Sequence, residues 1–185
     1  MKEFKPTKVQ LTLAYGRPIP DIIAPDLRIL FCGINPGLYS GATGRHFARP
    51  GNKFWKALHQ GGFTDKQLSP FSGDELLEKR LGVTNFVNKT TARADELNPE
   101  DYSKGAAILR EKIEKYKPKV LAILGVGAYR IGFNNPKAKT GLQPERIHGA
   151  FIWVLPNPSG LNAHFQSSDF AKLFRELWEF SNTLG

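Results

Sequence analysis

The apolar positions of this chain alternate between two periods along its length. From Leu27 the stretch LRILFCGI is continuously apolar and closes at Gly33, the pattern of a strand buried on both faces of a parallel sheet. In GNKFWKALHQGG the apolar residues Phe54, Trp55 and Leu58 recur at helical spacing, and Gly61-Gly62 supplies the stop. GDELLEKRLGVTNFV predicts a short helix and then a brief strand over 83–87, and LNPEDYSKGAAILREKIEKYKP predicts a longer helix that stops before Pro118. The period then switches back. KVLAILGVGAYRIGF gives a buried strand over 120–124, a glycine turn and a helix start, and AFIWVLPNPSG gives a further strand over 151–155, ended by proline. Phe170, Leu173, Phe174, Leu177 and Trp178 then share one face of an amphipathic terminal helix. Strand followed by helix, four times over, predicts an α/β sandwich with a mainly parallel sheet of four strands. Loops at the carboxyl ends of those strands build the site in such folds.

The first stretch breaks this pattern. MKEFKPTKVQLTLAYGRPIPDIIAP combines Lys2, Lys5, Lys8 and Arg17 with four prolines and no clear period. Residues 1–20 are therefore expected to form a basic arm on a single domain spanning 21–185. A chain of 185 residues buries a core without staples. The one cysteine, Cys32, lies inside an apolar run, so neither a disulfide framework nor a metal-binding Cys/His spacing is present. With no charged start leading into a long apolar stretch, the expectation is a cytoplasmic monomer with no membrane association. A formal charge of +9 and a pI near 9.7 suit a polyanionic partner, although a basic surface also serves solubility.

Two loops carry candidate chemistry. NPGLYSGATGRHFARPGN and PNPSGLNAHFQ both emerge from carboxyl ends of predicted strands, and each holds an Asn-Pro pair followed closely by glycine. That chemistry fixes a turn and lets backbone N–H groups approach a ligand, and on local grounds alone it serves either purpose.

GINPG after a buried strand, GRHFARPGNKFWK beyond it and LPNPSGLN near the end, in this order, resemble the mismatch-specific uracil-DNA and thymine-DNA glycosylases of the uracil-DNA glycosylase superfamily. The resemblance runs from Asp21 to the terminal helix. It implies a three-layer α/β/α domain that flips a mispaired base, above all uracil opposite guanine, out of double-stranded DNA. The domain would then hydrolyse the base's N-glycosidic bond without cofactor or metal and leave an abasic site.

Under that resemblance Asn35 is catalytic. Its amide accepts a hydrogen bond from water and orients it but takes no proton, so turnover is expected to be modest and Asn35→Asp to raise it. Asp95 either supplies the missing base or caps the following helix. Gly33, Ile34, Pro36, Gly37, Leu38 and Ser40 build the base pocket on one side, with main-chain N–H groups near Leu38 to Ser40 meeting base carbonyls. Phe47 is the stacking platform or a buried ring, and His46 beside it faces solvent or binds base or water. Asn85 gives structural support near the pocket, and Asn157 lines it. Leu161 is the wedge pushed into the base stack, Gly160 permits close approach to the orphaned partner base, and Ser159 and Asn162 contact phosphate or base edges. A catalytically weak or silent DNA-binding domain of the same fold is the rival from another class. A phosphate-binding α/β hydrolase using Ser159 or the LGVGAY turn is the weaker alternative, since no His/Asp set is spaced for a serine triad and GVG lacks the full dinucleotide fingerprint.

Overall fold

A computed structural model describes residues 4–185, so Lys2 of the basic arm lies outside the described residues. Five strands make one sheet in the order β2-β1-β3-β5-β4. They are β1 (Ile29–Gly33), β2 (Leu81–Asn85), β3 (Val120–Leu124), β4 (Gly141–Ile147) and β5 (Ala150–Leu155). The pairs β1/β2, β1/β3 and β3/β5 are parallel, and β4 runs antiparallel to β5. The sequence predicts four strands. The fifth, β4, escapes because as an edge strand it exposes most of its side chains, carries Pro144 and has no apolar run to mark it.

Alternation along the strands feeds two cores. Ile29 and Phe31 of β1 point to one face and Leu30 and Cys32 to the other, all without solvent exposure. On the first face α3 (Phe54–Gln60) and α6 (Ser167–Asn182) pack an aromatic cluster in which Phe31 meets Phe54 edge-on at 5.4 Å and stacks on Phe174 at 5.9 Å. On the second face lie α4 (Pro99–Tyr116) and α5 (Val126–Gly132), contributing Leu109, Ile113 and Tyr129. Each such ring or branched side chain contributes about 1.5–3 kcal/mol on burial. Helices on both faces of the sheet make the three-layer α/β/α arrangement.

Local chemistry sets the helix ends. Asn98, not Asp95, caps α4: its side chain accepts from the Asp101 N–H while the Asp101 carboxylate accepts from the Asn98 N–H, and Pro99 follows at the first helical position. Lys117 ends α4 in the left-handed region just before Pro118. GDELLEK lies in a 3₁₀ segment, Pro70–Lys79, rather than an α-helix. The aperiodic arm contains a short helix, α1 (Lys8–Leu13), opened by a Thr7–Gln10 capping box, and α2 (Leu38–Thr43) follows β1 directly.

Candidate active site

A cavity of about 130 Å³ opens where β1, β2 and β5 end. Ile34, Asn35, Pro36, Gly37 and Ser40 line it from the segment after β1, and His46 and Phe47 from the loop before α3. Asn85 reaches it from the end of β2, while Asn157, Ser159 and Leu161 come from the loop after β5. The two Asn-Pro loops thus share one cleft.

Asn35 is held in one orientation. Its Nδ2 donates to Thr91 Oγ1 at 2.7 Å and to the Lys89 carbonyl at 2.9 Å, with the Pro36 carbonyl at 3.3 Å. Thr91 Oγ1 spends its own proton on the Arg93 carbonyl at 2.8 Å, so it meets Asn35 only as an acceptor. Three acceptors around one end of the amide fix that end as the NH₂ and leave Oδ1 without a hydrogen-bond partner among the described residues. This geometry bears on the expectation that Asn35→Asp raises turnover. A carboxylate at position 35 sets an oxygen against the Lys89 carbonyl and Thr91 Oγ1, where the structure needs a donor.

His46, expected at the surface, is buried at 2% exposure. Its Nε2 lies 2.9 Å from the Pro20 carbonyl, an acceptor only, so this nitrogen carries the proton. Nδ1 is then free to accept from Asn85 Nδ2 at 3.4 Å. Burial pushes the imidazole below its ordinary value and keeps it neutral, against a weaker opposing pull from the Pro20 hydrogen bond. Asn85 in turn lies against Gly33: a β-carbon there would sit 2.8 Å from Asn85 Oδ1 and 3.2 Å from the Phe47 ring. Gly33 therefore shapes the floor without lining the cavity. Phe47 takes a positive φ of 52° and stacks on Phe54 at 4.1 Å, which braces one ring face while the ring borders the cavity. Ser40 Oγ accepts from the Ala48 N–H at 3.2 Å and ties this loop to α2.

The loop after β5 is cross-braced. Asn157 Oδ1 accepts from the Ser159 N–H, Asn162 Nδ2 donates to the Asn157 carbonyl, and Ser159 Oγ accepts from the Leu161 N–H. Lys53 Nζ, at the start of α3, donates to the carbonyls of Asn162 and Phe165 at 2.7 Å each. A β-carbon on Gly160 would lie 2.8 Å from the Gly51 carbonyl oxygen, so the two loops touch backbone to backbone. This bracing holds Leu161 at the tip, 68% exposed.

Besides Gly33, four residues expected at the site stand beside it. Leu38 opens α2, whose first N–H groups have no partner within the helix. Gly160 and Asn162 support the Leu161 tip. Asp95 lines a neighbouring cleft with Ile34 and Asn157, and its exposed carboxylate pairs with Arg93 at 2.5 Å. No Asp or Glu lines the Asn35 cavity among the described residues. Sequence reasoning missed Thr91, which has no motif of its own, and Arg49, Asn52 and Arg93, which add polar groups to the wall. The run of Arg49 and Asn52 through ARPGN lies inside a stretch already singled out and was the available signal.

The profile of the uracil DNA glycosylase superfamily matches residues 20–180. The chain belongs to this superfamily. A candidate uracil-DNA glycosylase from Methanosarcina acetivorans, solved by solution NMR, shares the fold with a TM-score of 0.58 and 21% identity. The alignment covers 88% of this chain and 98% of that one. Membership of the uracil-DNA glycosylase superfamily supports DNA glycosylase activity, hydrolysis of the bond between base and sugar, as the coarse function.

Proposed function

We propose that this protein is a monofunctional glycosylase that removes uracil opposite guanine from double-stranded DNA and leaves an abasic site. The observation that carries this is one cavity bordered by Asn35, the braced Phe47 and the exposed Leu161 tip. Leu161 enters the stack as the target nucleotide leaves it, at an unstacking cost of about a few kcal/mol. The extruded base lies on Phe47, a sequence-tolerant platform worth about 1–3 kcal/mol per base. Asn85 and Asn157 offer amide groups to its edge, and unpartnered N–H groups at the start of α2 meet charge developing on the leaving base. Asn35 Oδ1 accepts a hydrogen bond from the attacking water and aims it at the sugar carbon. Positioning takes the place of proton abstraction here.

A cavity of about 130 Å³ is small beside the ~300–1,000 Å³ of sites for drug-sized ligands and suits a single pyrimidine ring. No lysine lines it among the described residues, which supports hydrolysis rather than Schiff-base lyase action. The test is a labelled G·U duplex incubated with excess protein, beside G·T, A·U and single-stranded uracil. Alkali-labile sites at G·U are the expected result. Strand breaks without alkali would refute the monofunctional assignment, and intact strands together with tight duplex binding would favour the silent DNA-binding domain.

A further inference from the structure

The superfamily match begins at residue 20, yet the chain ahead of it is tied to the site. Residues 16–22 run antiparallel along β2 and the loop that follows it. Ile22 exchanges backbone hydrogen bonds of 2.9 and 2.7 Å with Val83. The Asn88 side chain closes a pair with the Ile19 backbone at 2.9 Å in each direction. The Thr90 N–H and Oγ1 both donate to the Arg17 carbonyl, at 3.0 and 2.6 Å, and the Gly16 N–H donates to the Thr90 carbonyl at 2.8 Å. Because β2 is an edge strand, the Ile22–Val83 pair also covers part of its open backbone.

Between Asn88 and Thr90 sits Lys89, whose carbonyl accepts from Asn35 Nδ2, and Thr91, the other close acceptor, comes next. Thr90 is fully buried, and a β-carbon on Gly41 of α2 would lie 2.6 Å from its side chain, so the loop is gripped from two sides. We infer that the N-terminal arm is a splint that holds the Lys89 carbonyl in place and thereby aims the Asn35 amide, with Asn88 and Thr90 as positioning residues. The inference rests on the reading of Asn35 given above.

Thr90→Val keeps the side-chain shape and removes the hydroxyl donor to Arg17 while the N–H remains, and Asn88→Ala removes the pair to Ile19. Single-turnover excision of uracil at saturating enzyme is expected to fall roughly 10-fold in each, less than the ~10²-fold of a full 1 Å misplacement, with duplex Kd unchanged. Thr90→Ser restores the rate, and in an Asn35→Ala background neither substitution has a further effect. Wild-type rates in folded Thr90→Val and Asn88→Ala would overturn the inference, as would losses that multiply with Asn35→Ala. The Asn35 side-chain amide resonances give a readout independent of turnover. Thr90→Val is expected to speed their hydrogen exchange, and unchanged exchange also overturns the splint. Undiminished excision by Asn35→Ala refutes the role given to Asn35 instead, and the exchange experiment still decides the splint.

Discussion

Asn35 and Thr91 lie 56 residues apart in the chain and 2.7 Å apart in the fold, with the amide as donor and the hydroxyl as acceptor. Because Thr91 has already given its proton to the Arg93 carbonyl, the direction of this bond is fixed, and with it which end of the amide is the oxygen.

Asn35→Ala is expected to lower single-turnover uracil excision by about 10²-fold or more, the scale set by losing a positioned reactant. Asn35→Asp behaves differently. Its carboxylate faces acceptors, so it takes up a proton more readily than an ordinary Asp, and excision is expected to climb with pH as that proton leaves. A pH–rate profile checks this against the wild type, and identical profiles for the two proteins would contradict it.

Leu161→Ala removes the exposed tip while leaving the bracing of its loop intact. Excision from a G·U duplex is expected to drop at least about tenfold, since unstacking costs a few kcal/mol that the wedge offsets. Single-stranded uracil has no stack to fill, so its rate should hold. A parallel loss on both substrates would remove the wedge role.

Gly160→Ala brings a methyl group to 2.8 Å from the Gly51 carbonyl oxygen, backbone against side chain with no flexible end to give way. The Leu161 tip shifts as a result. The expected outcome follows the Leu161→Ala pattern, with duplex excision down and the melting temperature nearly unmoved. A large fall in melting temperature would mean that the contact serves the fold instead.

Phe47→Ala is expected to weaken binding of uracil-containing duplex by the equivalent of about 1–3 kcal/mol, the worth of one base on an aromatic face. It also removes the ring that stacks on Phe54, so part of the effect appears in thermal stability. Phe47→Tyr keeps the stacking face and should restore most of the affinity in a binding titration.

His46 gives a pH dependence of stability. Burial lowers its folded value below the 6.5 of the unfolded chain. Below pH 6.5 the unfolded chain therefore takes up a proton that the folded chain refuses, and stability falls as the solution is acidified. Melting temperatures measured from pH 8 down to pH 5 should decline for the wild type and decline less for His46→Gln. An equal decline in both would show that other groups carry the acid sensitivity.

Much of the fold was legible because it rests on local periodicity: β1, β3 and β5 announce themselves as apolar runs, and α6 as a stripe from Phe170 to Trp178. The strand β4 did not, since an exposed edge has no apolar pattern to read. The two Asn-Pro loops were recognisable for the same local reason: turn chemistry is written in consecutive residues, and strand ends dictate where such loops emerge.

What the sequence determined alone is therefore the layering of the domain and the candidate loops. The tertiary structure decided which end of the Asn35 amide is the donor, that His46 is buried and neutral, that Asp95 pairs with Arg93 beside the cleft, and that the arm grips the Asn88–Thr90 loop. The reason is that side-chain periodicity is a property of neighbours along the chain. The direction of a hydrogen bond and the protonation of a ring depend on which distant groups the chain brings back to them.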